Sequence, residues 1–349
     1  MSQDVAFSVN SNGVATILLN RPKALNSLSF NMVHLINEKL KEWEFDHSVF
    51  IVILKGAGEK GFCAGGDIKE LYKARTSELA LKNAELFFQE EYETDIAIHQ
   101  FSKPIIACLD GIVMGGGVGL TYGASHRIVT ERTKWSMPEM NIGFFPDVGG
   151  AYFLNKAPGY IGRYLALTAS VIQADDVLYI NGADFYMDKV TLENFIKQIE
   201  ETVWNRDKVD NKLLDHLVNS HQTTPPQKSK LSQIQSDIDE NFRFNTMEKI
   251  IQSLDQKDST FNRSIKNLLL SKSPFSLKIT LKQLIDGKQK TMQECFSTDL
   301  LLAKNFLKHN DFYEGVRSIL IDRDHSPSYE FQKISDVTDE VVTNFFRSL

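Results

Sequence analysis

"KPIIACLDGIVMGGGVGL", residues 103–120, sets the fold class. Ile105 to Leu109 form an unbroken apolar run with no polar alternation, the pattern of a strand covered on both faces. The glycines that follow end the strand and lead into an apolar segment of helical character. A buried strand feeding a glycine-rich turn and then a helix is the repeating unit of an α/β fold. Glycines there also let backbone N–H groups approach another segment or a ligand closely.

The neighbouring segments continue this alternation. "VAFSVNSNGVATILLNRP" (5–22) reads as two short strands around a Ser-Asn-Gly turn, and "VFIVILKG" (49–56) as another buried strand. "SFNMVHLINEKLKEWEFD" (29–46) places Met32, Leu35, Ile36, Leu40 and Trp43 at helical spacing. Residues 67–100 read as helix with a break near Thr76, and "HRIVTE" and "KWSM" as short strands. From about Thr191 only helix-period segments remain, among them "TLENFIKQIEETVW", "DNKLLDHLVNS", "KLSQIQSDIDENF", "FSLKITLKQLID" and "ECFSTDLLLAKNFLKHN". "SHQTTPPQKSK" is polar and carries two prolines, so it reads as a loop within this helical half. The expectation is an α/β core over residues 1–205 and a helical region over 206–349.

The chain has 349 residues, 42% hydrophobic and 24% charged, enough for a sizeable core. A net charge of −6 argues against a nucleic-acid-coating surface. "MSQDVAFSVNSNG" lacks a basic and an apolar signal-peptide region, and no apolar run is long enough to span a membrane. Cys63, Cys108 and Cys295 are far apart and odd in number, which disfavours disulfides or a zinc site and reads as three small buried hydrophobes. A reducing, cytoplasmic setting is expected, with no metal and no separate cofactor.

"GAGEKG" (56–61) has the letters of a dinucleotide-binding turn, but "EKGFCAGG" intervenes before any helix can open, so an ordinary turn is the better reading. The chain carries no G-x-x-x-x-G-K-[ST] and no G-x-S-x-G motif. Two other glycine clusters, "FCAGGDIKEL" (62–71) and "GIVMGGGVGL" (111–120), each follow a strand and enter a helix. Backbone N–H groups of Gly66 and Gly116 converging on one oxygen would form an oxyanion hole; the alternative is tight packing. "PEMNIGFFPDVGG" (138–150) places two acids, Glu139 and Asp147, around Met140, Ile142, Phe144 and Phe145. Asp147 could be a helix cap before "VGGAYFL". Apolar company around both acids also suits acid–base or nucleophilic work.

Together "RPKALNSL", "GFCAGGDIKELY", "GIVMGGGVGL" and "MPEMNIGFFPDVGG", in that order, resemble the crotonase (enoyl-CoA hydratase/isomerase) superfamily. The tail "NDFYEGVRSILIDRDHSPSYEF" extends the resemblance across nearly the whole chain. It implies a spiral of ββα turns followed by helices that cover an acyl pocket or mediate assembly. It further implies an acyl-CoA substrate and homo-oligomers, often trimers or hexamers. The thioester carbonyl would lie between the amides of Gly66 and Gly116. Hydratases of the family use two glutamates; here the first position is Gly119, which moves no proton, and the second is retained as Glu139. "EEY" (90–92), "FPDVGG" and "EGVR…LIDRD…P" resemble the branch that hydrolyses 3-hydroxyacyl thioesters of CoA. That branch implies Glu139 as base or nucleophile, Asp147 as its partner carboxylate and Glu91 as a substrate contact. Lys23 is a weaker candidate for a CoA phosphate contact, and Glu91 could instead be a solvated helix acid.

Overall fold

The computed structural model describes residues 4–204 and 211–347. Strands β1 (Val5–Val9) and β2 (Val14–Leu19) pair antiparallel across a turn in which Asn10 Oδ1 accepts from the backbone N–H of Asn12 and Val14. Gly13 takes φ +77° in that turn, a conformation open to glycine. Next come β3 (Ile51–Gly56) and β4 (Gly61–Cys63), β5 (Ile105–Leu109) and β6 (Ile112–Met114), β7 (His126–Val129) and β8 (Lys134–Ser136), and lastly β9 (Phe185–Tyr186).

Each of the three middle pairs sends its first strand to a large sheet, ordered β1-β2-β3-β5-β7-β9, and its second to a small one, ordered β4-β6-β8. Each pair then runs into a helical segment: Ile68–Tyr72, Gly116–Tyr122 and the 3-10 turn Glu139–Ile142. Because every turn returns in the same direction, the large sheet is parallel from β2 through β3, β5 and β7 to β9. This is the expected succession of ββα turns. Three short strands, β4, β9 and β6, were not expected; β6 occupies Ile112–Met114, where the sequence reads straight from buried strand through glycines into helix. It is three residues long and exists through its pairing with β4 on one side and β8 on the other, which no local propensity announces.

The chain forms two compact units with interleaved segments. The first comprises Met1–Gly66, Glu90–Trp135 and Ile172–Lys230. Its core packs Ile51, Ile53, Ile106, Cys108 and Ile128 of the large sheet against Leu192, Phe195, Ile199, Leu214 and Leu217. Helices Lys189–Glu201 and Asn211–His221 thus belong with the sheet. The boundary expected at 205/206 falls outside the described residues. The second unit comprises Asp67–Gln89, Ser136–Val171 and Leu231–Leu349. At its centre the helix Pro274–Gly287 is buried on most sides, with Phe275 stacked on His309 and edge-on to Phe306 and Phe345.

The break near Thr76 is present, as a 3-10 turn at Lys73–Thr76 before the helix Glu78–Gln100, and the polar proline-bearing segment separates two helices as predicted. Helices Ile161–Thr168, Ala174–Tyr179 and Met247–Gln256 were not anticipated. All are shorter than the ~12 residues at which an isolated helix becomes marginal, so tertiary packing sustains them. No helix among the described residues is long and apolar enough to cross a membrane.

Candidate active site

In the first unit, β4 and β6 pair in parallel through Gly61↔Ile112 and Cys63↔Val113, which brings the two glycine clusters together. Gly65 has φ +94°, and a Cβ there would sit 3.1 Å from Met114 O and 3.2 Å from Gly116 N. Gly115, at φ +52°, turns the chain into the helix Gly116–Tyr122. Gly116 is its first residue, where helical N–H groups have no intrahelical acceptor. Gly66 forms a bridge with Leu28, whose N–H donates to Gly65 O at 2.8 Å. Asn26 secures this loop: its Oδ1 accepts from Arg21 N at 2.9 Å, and its Nδ2 donates to Ala57 O and Gly61 O, both at 3.0 Å. "RPKALNSL" therefore builds the bed on which Gly66 lies, and Lys23 is exposed on the short turn Pro22–Ala24. "GAGEKG" joins β3 to β4 and opens no helix.

The two acids of "EEY" part company. Glu90 bonds His34 Nδ1 at 3.1 Å and Asn37 Nδ2 at 3.2 Å on the outer side of its helix. Glu91 is only 2% exposed and so close to Gly116 that any Cβ at that glycine would run into Glu91 Oε1. A solvated helix acid does not fit Glu91.

In the second unit, Pro138 leads into the turn Glu139–Ile142, which Gly143 ends at φ +64°. Glu139 is 7% exposed and its carbonyl accepts from Phe144 N at 3.1 Å. The following rings form an aromatic cluster: Phe144 lies 4.6 Å from Phe145, 5.2 Å from Phe306, 5.3 Å from Phe312 and 5.6 Å from Phe88. This cluster, with interacting rings at favourable separations, explains the apolar company of the two acids. Asp147 is 5% exposed. The N-cap position of the helix Gly150–Leu154 is Gly149, so Asp147 is not its N-cap residue.

Val148 and Gly149 both adopt left-handed φ, +47° and +79°. For a β-branched residue this is a strained conformation, costing on the order of 1–3 kcal/mol unless its surroundings impose it. The surroundings here are Asp299 and Gln283. Asp299 Oδ2 accepts from Gly149 N at 2.9 Å, while Gln283 Nε2 donates to Asp299 Oδ1 at 2.7 Å and to Pro146 O at 3.0 Å. Asp299 is fully buried. That burial pushes its carboxyl up to about 8, the Asp147 charge adds to the rise, and the Gly149 N–H, the Gln283 amide and Lys290 oppose it.

Among the sequence-predicted residues, Gly66, Gly116 and Glu91 come together within the first unit; Glu139 and Asp147 lie in the second. Gly119 is buried in the helix Gly116–Tyr122. The three cysteines are buried and free, and burial raises the thiols of Cys63 and Cys108 to about 12 and that of Cys295 to about 11, so they act as small hydrophobes. Among the described residues no group of three His, Cys, Asp or Glu is arranged to hold a metal. Sequence reasoning missed Asn26, Gln283 and Asp299. Asn26 had a signal, since asparagine tolerates the φ +55° it adopts inside a recognised motif. Gln283 and Asp299 had none, being 137 and 150 residues from the turn they hold.

Comparison with known proteins bears on the family and the fold. A family model described as enoyl-CoA hydratase/isomerase matches residues 14–346. The Rattus norvegicus protein named "3-hydroxyisobutyryl-CoA hydrolase, mitochondrial" is 40% identical over 341 residues, covering 95% of this chain and 86% of its own. The Homo sapiens protein of the same name is 39% identical over 336 residues, with the same coverage of 95% and 86%. A crystal structure of a carnitinyl-CoA dehydratase from Mycobacterium thermoresistibile matches with a TM-score of 0.91 at 34% identity, over 100% of this chain and 97% of that one. The names of the curated relatives correct one expectation: they are mitochondrial, not cytoplasmic. That expectation rested on cysteine usage, and a reducing setting is not confined to the cytosol. With the ββα turns, the paired glycine clusters and the matched length in agreement, the chain belongs to the enoyl-CoA hydratase/isomerase family.

Proposed function

We propose that this protein is an acyl-CoA thioester hydrolase that converts 3-hydroxyisobutyryl-CoA and water to 3-hydroxyisobutyrate and CoA. The observation that carries the reading is the pattern of acids. The position at which the family's hydratases place one glutamate is Gly119, whereas Glu139 is retained and Asp147, also buried, accompanies it. Addition of water across a double bond needs a proton taken and a proton given. Hydrolysis of a thioester needs one activated oxygen nucleophile and a stabilised tetrahedral oxyanion. The names of the rat and human relatives supply the acyl group.

In this mechanism the N–H groups of Gly66 and Gly116 hold the thioester oxygen as it becomes negative. Glu139 removes a proton from water as the water oxygen attacks the carbonyl carbon. Collapse of the tetrahedral intermediate breaks the carbon–sulfur bond, and the thiolate leaves as CoA. In the alternative route Glu139 attacks the carbonyl carbon itself and the carbon–sulfur bond breaks to expel the CoA thiolate, and water then cleaves the resulting anhydride to the product acid and free Glu139. Asp147 orients water or the leaving group, and Glu91 accepts a hydrogen bond from the substrate 3-hydroxyl. We also infer a mitochondrial location from the relatives' names, tested by cell fractionation, and a trimer or hexamer, tested by sedimentation.

The roles are tested by substitution. Glu139→Gln keeps size but removes the basic charge, and kcat should fall by at least about 10²-fold, the lower range of general-base contributions. Asp147→Asn should lower kcat with little change in KM. Wild-type kcat in either variant would remove that residue from the mechanism. One turnover in ¹⁸O-water with enzyme in excess bears on the routes: label in the Glu139 carboxylate requires an anhydride cleaved at the glutamyl carbon, whereas label confined to the product acid is left by direct attack of water and equally by anhydride cleavage at the acyl carbon.

A further inference from the structure

We propose that Asp299 and Gln283 are positioning residues for the reaction: together they clamp the Pro146–Gly149 turn and so fix the direction of the Asp147 carboxylate. The inference rests on the catalytic role given to Asp147 above.

The clamp grips the turn on both sides of Asp147. Gln283 Nε2 holds Pro146 O immediately before it, and Asp299 Oδ2 holds Gly149 N just after it. The third bond, Gln283 Nε2 to Asp299 Oδ1, closes the circuit between the two grips. The orientation of the Gln283 amide is fixed by chemistry: both atoms it faces are oxygens, so the nitrogen must point to them. Between the grips lies Val148 at φ +47°, a conformation that a β-branched residue does not hold on its own. A free turn would relax Val148 to negative φ and rotate the neighbouring peptide, carrying Asp147 with it. Asp299 is wholly buried, and Gln283 nearly so, on helices Met292–Phe306 and Pro274–Gly287, so the grip comes from rigid elements.

The chemistry of the pair also predicts what breaks it. Both Asp299 carboxyl oxygens face donors, the Gly149 N–H and the Gln283 NH2, and a proton held on one of them still leaves each oxygen a lone pair with which to accept. An asparagine there has one oxygen and one NH2 group. If its oxygen meets Gly149 N–H, its NH2 faces the Gln283 NH2. If Gln283 flips to relieve that clash, Pro146 O loses its donor. Either way one grip is released.

The test uses the full-length chain with 3-hydroxyisobutyryl-CoA, following CoA release. Asp299→Asn is predicted to lower kcat by about tenfold or more with KM within about threefold, since a misdirected catalytic group costs rate. The double variant Asp147→Asn/Asp299→Asn should be no slower than Asp147→Asn alone, because Asp299 acts through Asp147. Should Asp299→Asn not be recovered folded, as judged by a cooperative thermal transition, Gln283→Met is used instead; it keeps length, removes both donated bonds and should show the same kcat loss and the same non-additivity. Wild-type kcat in the clamp variant, or losses that multiply in the double variant, would overturn the proposal. If Asp147→Asn is itself as fast as wild type, the reading of Asp147 fails, and that outcome is distinct from failure of the clamp.

Discussion

Gly116 and Glu91 are the pair in which backbone and side chain constrain each other most tightly. A single methyl at Gly116 would occupy the space of Glu91 Oε1, so Gly116→Ala must displace either the buried acid or the start of the helix Gly116–Tyr122. We expect kcat/KM to fall by about 10²-fold, the scale of losing one oxyanion donor, with a folded protein by circular dichroism. Activity within a few-fold of wild type would mean that Gly116 N–H does not hold the thioester oxygen and Glu91 does not hold the 3-hydroxyl. Asp299 yields a prediction of stability. Its folded-state value of about 8 stands above the ordinary 3.8, so the native protein holds a proton that the unfolded chain releases. That stabilising contribution is complete below about 3.8 and lost as pH rises to about 8. The groups acting on it are Asp147, Lys290, the Gly149 N–H and the Gln283 amide. Thermal midpoints from pH 5 to 8 should therefore fall less steeply in Asp299→Asn than in wild type; parallel slopes would contradict a buried, proton-holding Asp299. Glu139, Asp147 and Glu91 are legible in the sequence because each sits in a short motif. Asp299 is not, because its importance lies in a contact made across 150 residues.

At the scale of elements, the segments that announce themselves have a continuous apolar run or a cap. β3 and β5 are readable because both faces are covered, and the helix Phe30–Phe45 because Ser29 caps it and one stripe is buried. β6 is hidden because three residues carry no period, and it holds the glycine clusters together only by pairing with β4. The helix Met292–Phe306, which presents Asp299, begins with a reciprocal capping box: Thr291 Oγ1 accepts from Glu294 N, and Glu294 Oε2 accepts from Thr291 N at 2.7 Å. Thr291→Ala should lower unfolding stability by about 1 kcal/mol, seen as a lower urea midpoint at unchanged slope. An unchanged midpoint would show that the end of the helix is held by packing alone. The tail motif "EGVRSILIDRD" has a structural use: Arg317 is gripped by Glu314 through two nitrogens and bonded to Asp322 and Asp324 at 2.7 and 2.6 Å. Bidentate geometry of this kind is not reproduced by lysine, which accounts for arginine in the motif without assigning it to chemistry.

Over the whole molecule, the α/β class and the family are legible in the amino-acid sequence, because four motifs fall in a fixed order along one chain. The division into units is not, since each unit is assembled from segments that are distant in sequence. The central claim is that a family known for adding water to enoyl thioesters here cleaves the thioester itself, because Gly119 replaces one proton-handling acid while Glu139 and Asp147 remain. The most direct measurement offers the purified protein 3-hydroxyisobutyryl-CoA and crotonyl-CoA side by side. Free thiol is followed with a thiol reagent, and the enoyl-thioester band by its ultraviolet absorbance. The account predicts stoichiometric CoA release from the 3-hydroxyacyl ester and no loss of the enoyl band at ordinary enzymatic rates of around 10 per second. Rapid hydration of crotonyl-CoA with no thiol released from 3-hydroxyisobutyryl-CoA would contradict it.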